Sequence, residues 1–332
     1  MKFSLIICTY QRPKAIVELL NSVKEQTLYP TEILIIDGST NNKTNEILKN
    51  NSFKNLTYYQ VKDLDRGLTK QRNFGISKVA KDSEIVCFLD DDTILEPTYF
   101  ENLMNTYNSK RDAVGVGGYI TNEVQWEKST NTICSANYFC LDGFERKEGT
   151  RFKLRNFLGL IDATPPGFMP TYSHGRSISY LPPSDKTYPV EFFMGCSMSF
   201  KKEIFDTLKF STYFEGYGLY EDMDFCLRAS KMGQLYVNTA AKLEHHHEQL
   251  GRPNKYTYGK MVIRNGWYVW RVKYPTPTLK ARLKWNLTAI ILLKLRFLNI
   301  FTTQQRKEAF TEGIGRLVGW FSLFLKKPRK QL

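Results

Sequence analysis

Cysteine is sparse in this 332-residue chain: there are six, and no two are spaced as C-x-x-C. A disulfide scaffold is therefore excluded, and a zinc site has weak support. Most of the six lie in apolar runs, so the expectation is buried, reduced thiols in a cytosolic protein. Histidine is scarcer still, with four, of which His245, His246 and His247 are consecutive. Long apolar runs are missing. No stretch reaches the roughly 18–20 residues of a membrane span, and the nearest, 287–301, contains Lys294 and Arg296. The opening MKFSLIICTYQRP has an apolar run only from Phe3 to Cys8, short of the roughly 7–15 residues of a signal peptide. It reads as a buried first strand.

What is present is a large apolar fraction, 42%, with 14% aromatics, enough for a packed core and against global disorder. The net charge of +14 is unevenly placed. From Arg252 onward there are 18 Lys/Arg and two acids, whereas the first 251 residues hold 29 basic and 31 acidic side chains. A near-neutral body with a basic tail suggests an anionic partner for one part of the chain, nucleic acid or membrane surface.

The first 120 residues alternate. Apolar runs at Phe3–Cys8, Ile33–Ile36, Leu56–Val61 and Ile85–Leu89 predict strands. Between them lie helical patterns at 14–26, 44–50 and 67–80, the last with Phe74, Ile76 and Val79 as its core contacts. A further helix is expected at 97–107 and a glycine-broken strand at 113–120. This order predicts an open, mostly parallel sheet with helices on both faces. Ligands bind such sheets beyond the carboxyl ends of the strands, where the segments 9–12, 37–39 and 90–92 should converge. Residues 121–189 lose periodicity. A strand at 190–200, a helix at 219–232 with Gly233 as its C-cap, and a strand at 235–243 follow, then basic helices beyond Arg252.

Four clusters could carry chemistry. Asp90-Asp91-Asp92 closes a buried strand, and the mutual repulsion of three carboxylates invites a hard cation such as Mg²⁺ or Mn²⁺; a solvated acidic turn is the plain alternative. On an extended backbone His245 and His247 share a face, and either suits a metal. Glu221-Asp222-x-Asp224 sits in a helix first turn, where the dipole favours acids, yet such a carboxylate can also act as a general base. It follows 215–218, a flexible aromatic loop suited to a sugar. Arg66-Gly67-x-x-Lys70-x-Arg72 opens a helix in a way that suits phosphate, or is a solvated basic face.

In order and spacing, SLIICTYQRP, LIIDGST, RGLTKQRNFGI, CFLDDDTILEP, FFMGCSMSF, GLYEDMDFCLR and the histidine-bearing strand end resemble the family 2 glycosyltransferases over roughly residues 2–250. The resemblance implies an α/β, GT-A-type, Rossmann-like, mostly parallel sheet flanked by helices, followed by a basic helical C-terminal extension. It implies a catalytic domain over 1–251 (nucleotide-binding half 1–120, acceptor and catalytic half 121–251) and the extension over 252–332. Thr9, Tyr10 and Arg12 would line the nucleotide pocket, Asp37 would bond the base and Arg72 would approach the diphosphate. Asp90 would lie near the ribose or sugar, with Asp91 intervening and Asp92 on a Mn²⁺ or Mg²⁺ ion. The triple aspartate leaves that register open by one residue. His245 matches the second metal ligand, with His247 the alternative. Gly195 and Cys196 would sit where donor and acceptor sugars meet, and Asp222 would be the base, supported by Glu221.

The implied reaction is an inverting transfer from a nucleoside-diphosphate sugar, most commonly UDP-linked, to a saccharide or lipid-linked saccharide. The chain lacks a Q-x-x-R-W segment, which argues for single additions. Beyond Arg252, aromatic and aliphatic residues interleave with Lys/Arg, which predicts contact with a membrane surface at the cytoplasmic face. A helical subdomain packed on the core is the alternative. A sugar-phosphate nucleotidyltransferase would want a glycine-rich basic loop after the first strand, where Thr-Tyr-Gln-Arg-Pro stands. A nucleic-acid-binding role for the tail would leave the Asp cluster and Asp222 unexplained, so no nucleic-acid partner is expected.

Overall fold

The computed structural model describes residues 1–129, 134–214, 216–247 and 252–329. In chain order its elements begin β1 (Phe3–Thr9), α1 (Pro13–Lys24), β2 (Glu32–Asp37), α2 (Lys43–Lys49), β3 (Leu56–Gln60), α3 (Leu68–Ile76), β4 (Ile85–Asp90), β5 (Thr93–Leu95), α4 (Tyr99–Ser109) and β6 (Ala113–Ile120). They continue through β7 (Glu127–Lys128), β8 (Tyr138–Leu141), β9 (Phe144–Lys147), α5 (Thr150–Phe157), β10 (Thr187–Val190), β11 (Ser197–Lys201), α6 (Glu221–Ala229) and β12 (Gln234–His245). Three long helices close the chain: α7 (Lys255–Lys273), α8 (Leu279–Leu298) and α9 (Arg306–Leu325).

The chain divides into two compact units, one of residues 1–127 and 177–251, the other of 128–176 and 252–332. The first unit is built on a sheet ordered β10-β12-β6-β11-β4-β1-β2-β3, with β5 also paired to β12. Strands β3, β2, β1 and β4 run parallel, β11 lies antiparallel between β4 and β6, and β12 runs parallel to β6. Leu5, Ile7, Ile33, Ile35, Cys87 and Leu89 pack with Ile16, Leu19, Leu20 and Leu103 of the flanking helices in one apolar cluster. That burial is why β1, β2 and β4 are continuous apolar runs.

The expected strand at 190–200 is instead two. Pro189 cannot donate to a ladder, and it stands in β10, at the sheet edge where that is tolerated. Residues 191–196 leave the sheet and the chain re-enters at Ser197. Gly233 is not a helix cap. Helix α6 ends at Ala229 with Ser230 as its C-cap, and a Cβ on Gly233 would lie 2.3 Å from Val114 Cγ1, so this glycine permits close approach to β6. Helix α3 buries Thr69, Gln71, Arg72 and Gly75, not Phe74, Ile76 and Val79.

The second unit holds the antiparallel β8–β9 pair, helix α5, and α7–α9. Helices α7 and α9 meet backbone to backbone: a Cβ on Gly315 would lie 2.1 Å from the Tyr256 carbonyl oxygen, and one on Gly259 2.3 Å from that of Glu312. Trp270 and Trp285 stack with centroids 5.5 Å apart. The expectation of reduced cysteines is corrected here. Cys134 and Cys140, six residues apart across the start of β8, are joined as a disulfide, while Cys8, Cys87, Cys196 and Cys226 are free. Among the described residues no helix is long and apolar enough to cross a membrane.

Candidate active site

The carboxyl ends of β1, β2 and β4 lie side by side, because Thr9 pairs with Asp37 and Cys8 with Asp90 in the parallel ladder. The segments after them converge as topology predicted. The Gly38 amide donates to the Thr9 carbonyl at 3.0 Å, and the Gln11 amide to Ser39 Oγ at 2.7 Å. Gln71 of α3 fastens the two strand ends, its Nε2 donating to the carbonyls of Ile36 at 2.7 Å and Thr9 at 3.1 Å.

The three aspartates divide by direction. Asp91 turns inward: Thr9 Oγ1 donates to its Oδ2 at 2.6 Å and Arg12 Nη1 to its Oδ1 at 2.8 Å. Burial raises its pKa to about 6 against the pull of Arg12. Asp90 and Asp92 instead share a cluster with His245, their ligand-capable atoms all within 4.8 Å of one another. His245 reaches this point because β12 extends to it and pairs antiparallel with Thr93, the residue after Asp92. Its Nε2 lies 3.2 Å from Asp92 Oδ1 and its Nδ1 3.4 Å from Glu123 Oε1. His247 Nε2 lies 2.9 Å from the same Glu123 oxygen, whereas His246 turns to Glu244 at 3.1 Å. Two carboxylates and an imidazole fit Mn²⁺ or Mg²⁺. A carboxylate behind the far nitrogen of a ligating histidine fixes its tautomer and orientation. The bond to His245 holds the Glu123 carboxyl below its ordinary value.

Glu123 was not found from sequence. It lies in the aperiodic stretch after β6, and only the fold brings it to the histidines. Tyr58 was also missed; its hydroxyl donates to Asp37 Oδ2 at 2.8 Å while the Ser39 amide donates to Asp37 Oδ1 at 2.7 Å. Asp37 is thereby fully buried, with both oxygens engaged inside the unit. Tyr10, by contrast, is exposed at the rim.

Arg72 is 2% exposed. Nη1 pairs with Glu221, while Nη2 donates to Asp90 Oδ1 at 3.3 Å and to the Gly195 carbonyl at 3.1 Å. Phe88 and Phe210 flank the guanidinium at 5.9 and 5.3 Å. One side chain thus ties α6, the end of β4 and the 191–196 loop together. Glu221 is buried behind it, and burial raises its pKa to about 8 although Arg72 opposes the shift.

Asp222 is the half-buried member of the pair. Its Oδ2 accepts the Gly195 amide at 2.8 Å and its Oδ1 the Met223 amide at 2.7 Å; burial raises its pKa. The turn that presents it is tight, with Gly216 and Gly218 at φ +76° and Tyr220 at +71°, a left-handed cap no β-branched residue would favour. Glu215, which opens that loop, lies outside the described residues. Gly195 has little room for a side chain, since a Cβ would sit 3.0 Å from Glu221 Oε1 and 3.3 Å from Asp222 Cβ. Cys196 is buried beside it, and burial raises its thiol to about 11. Thus Asp90, Asp92, His245, Gly195, Cys196, Glu221 and Asp222 come together, with Arg72 beneath them, while Asp37 and Tyr10 lie on the β1–β2 side.

A glucosyl-dolichyl phosphate glucuronosyltransferase of Haloferax volcanii is 30% identical over 122 residues, covering 36% of this chain and 38% of that protein. The O-antigen chain rhamnosyltransferase RfbN of Salmonella typhimurium is 32% identical over 97 residues, 29% of each chain. The match therefore spans little more than a third of these relatives' length at most. The crystal structure of S. aureus TarS superposes with a TM-score of 0.50 at 16% identity, covering 92% of this chain and 44% of that one, a likeness of fold. The model of the family described as "Glycosyl transferase family 2" matches residues 4–175, more than half the chain and including β1, Asp37, Arg72 and the three aspartates, so the chain belongs to that family.

Proposed function

We propose that this chain is an inverting, non-processive glycosyltransferase. It moves one sugar from a nucleoside-diphosphate sugar, UDP first among the candidates, to a hydroxyl of a saccharide or lipid-linked saccharide in the assembly of envelope glycans. The observation that carries this reading is the meeting of Asp222 with the Asp90–Asp92–His245 cluster around Gly195. Asp222 accepts the Gly195 amide, and Arg72 bonds both the Gly195 carbonyl and Asp90, so a proton acceptor and a candidate site for a phosphate-binding cation are tied to the same glycine.

Asp90, Asp92 and His245 would hold Mn²⁺ or Mg²⁺, with Glu123 setting the imidazole; His247, on the same glutamate, is the alternative ligand. That ion, when bound, supplies charge stabilisation to the departing diphosphate. Asp222 accepts the proton of the acceptor hydroxyl, and its raised pKa brings it nearer the pH at which a carboxylate base works. The Gly195 and Met223 amides fix its plane. Arg72 acts through its partners, holding Asp90 and the Gly195 carbonyl in place, and Glu221 keeps it there. Thr9 and Arg12 anchor Asp91, which leaves the two flanking aspartates on the His245 side. Tyr10 and the Asp37 turn form the nucleotide side.

The second unit supports a place of work at an anionic membrane surface. On α8, Leu279, Leu283 and Leu287 are exposed at successive four-residue steps, beside the exposed Lys280. On α9, Phe321, Phe324 and Leu325 are exposed, followed by Lys326, Lys327 and Arg329. Glu312 is already taken by Arg296 and Arg316, so it does not offset these charges. The relatives named for a dolichyl phosphate and an O-antigen chain support a lipid-linked or envelope acceptor.

The test is a thermal-shift series with UDP-, dTDP- and GDP-sugars with and without Mn²⁺. One donor should raise the melting temperature in a metal-dependent way, and Asp92→Asn should remove the metal-dependent part. An equal shift in wild type and Asp92→Asn would sink the metal assignment; no shift with any donor would sink the donor class.

A further inference from the structure

Past the end of β6, residues 121–123 run beside the end of β12 and fasten it. The Thr121 amide donates to the Leu243 carbonyl at 2.9 Å, the His245 amide to Asn122 Oδ1 at 3.0 Å, and Asn122 Nδ2 to the His245 carbonyl at 3.0 Å. The His246 amide donates to the Asp92 carbonyl at 2.9 Å. The backbone that carries the histidines is therefore held by both neighbouring segments. Glu123, the residue after Asn122, is brought to their side chains by the same bonds.

His245 uses its two ring nitrogens separately. Nε2 faces Asp92 Oδ1 at 3.2 Å, and Nδ1 faces Glu123 Oε1 at 3.4 Å. His247 Nε2 approaches the same Glu123 oxygen at 2.9 Å, and the two imidazole rings lie 4.0 Å apart between centroids. His247 reaches this place through a left-handed backbone, φ +56°, which costs a non-glycine residue free energy. One ligand-capable atom from each of Glu123, His245 and His247 lies within 4.8 Å of the others. Among the described residues, this set and the Asp90–Asp92–His245 set have only His245 in common.

The two sets differ in chemistry. The inner one offers two carboxylates and one imidazole, which suits a hard cation. The outer one offers two imidazoles and one carboxylate, the ligand set that Zn²⁺ takes when a fourth position stays open to water. Tetrahedral bonds of about 2.0–2.2 Å put neighbouring ligand atoms roughly 3.3–3.5 Å apart. The separations at Glu123, 2.9 and 3.4 Å, need little adjustment to meet that. Solvent reaches the fourth position, since the His247 and Glu123 side chains are 48% and 24% exposed.

We propose that Glu123, His245 and His247 form a second cation site, for an ion of the Zn²⁺ class, and that its occupation excludes the ion on the Asp90–Asp92 side. A neutral imidazole has one bare nitrogen and one N–H. An ion on Nδ1 leaves the ring proton on Nε2, facing Asp92, where the inner ion would need the lone pair. The two ions therefore compete through one ring although their other ligands differ, and the coupling is reciprocal. The exclusion rests on the cation assignment made above; the outer site does not.

The full chain should be titrated calorimetrically with Zn²⁺ at fixed neutral pH, as wild type, His247→Gln and Asp92→Asn. Wild type should take up Zn²⁺, His247→Gln should bind it at least about tenfold more weakly, and Asp92→Asn should retain it. Zn²⁺ affinity equal in wild type and His247→Gln would overturn the second site, as would a loss in Asp92→Asn as large as that in His247→Gln. The Mn²⁺-loaded chain should then be titrated with Zn²⁺ while free Mn²⁺ is followed by electron paramagnetic resonance. Zn²⁺ should release Mn²⁺ from wild type, and His247→Gln should need about tenfold more Zn²⁺ for the same release. Equal release from both would mean that Zn²⁺ takes the inner ligands. Loss of Mn²⁺ binding in His247→Gln would put His247 on the inner ion. Either result defeats the proposal. Zn²⁺ binding that depends on His247 in a chain taking up no Mn²⁺ would uphold the outer site and sink the inner ion.

Discussion

Arg72 in one unit and Arg155 in the other are almost equally buried, at 2% and 3% exposure, yet their surroundings differ completely. Burial disfavours both charges. At Arg72 it is more than offset by Glu221 and Asp90, and the pKa rises; at Arg155 burial outweighs the more distant pull of Tyr172 and Asp162, and the pKa falls to about 10. Arg72 also has a bond to Gly195, so its charge is a structural joint, closed on every side. Arg155 meets two carbonyls and keeps Nε without a partner among the described residues. A buried charge matched closely by acids keeps its charged form, whereas one met mainly by carbonyl dipoles is easier to neutralise. The same contrast extends outward: the first unit gathers Asp90, Asp92 and His245 in a cluster that could hold a cation, and the second presents lysines, arginines and exposed apolar side chains on α8 and α9.

The comparison can be broken most sharply at Asp222. Asp222→Asn should cut transfer by about 10²–10⁴-fold, the range of a lost general base, and leave donor binding intact in the thermal-shift assay. Retained turnover would remove Asp222 from that role. Next is Glu123→Gln, which preserves shape but weakens the hold on His245. Mn²⁺ affinity, followed by titration, should fall about 10–100-fold, and unchanged affinity would show that His245 is set by other groups. In the second unit, Gly315→Ala places a methyl against the Tyr256 carbonyl and should destabilise the α7–α9 pair by about 1–3 kcal/mol. Calorimetry should show that loss while metal titration at the first unit stays unchanged. The smallest effect is expected from Phe321→Ser, about tenfold in partition to anionic vesicles, with the remainder falling as salt rises. Equal partition of wild type and variant would place the membrane contact elsewhere.

Much of the first unit was legible because its signals are local. A run such as Ile85-Val86-Cys87-Phe88-Leu89 is apolar throughout only when both faces are covered, and the polar Asp90 then marks a strand end. Helix α3 was legible in place and misread in orientation. Phe74 and Ile76 look like its core face, but Gln71 and Arg72 are the buried ones, because the strand ends beneath offer carbonyls and carboxylates that pay for their desolvation. The 190–200 strand was misread because Val190 and Ser197–Phe200 are both apolar enough for a sheet, and nothing local shows that 191–196 leaves it. The disulfide between Cys134 and Cys140 was missed because an isolated pair carries no spacing rule. Glu123 had no signal at all: its role depends on the end of β12 arriving beside it.

Sequence by itself determined the alternating α/β order, the acidic strand end, the carboxylate-bearing turn of α6 and the concentration of positive charge after Arg252. These depend on periodicity and composition, which are carried by neighbours along the chain. Only the tertiary structure decided that Asp90 and Asp92 face His245 while Asp91 faces Thr9 and Arg12. It likewise decided that Arg72 lies under the site and that Glu123 meets both His245 and His247. Those facts depend on which distant segments are brought within a few ångströms, and at that range burial and pairing set what a charged side chain can do.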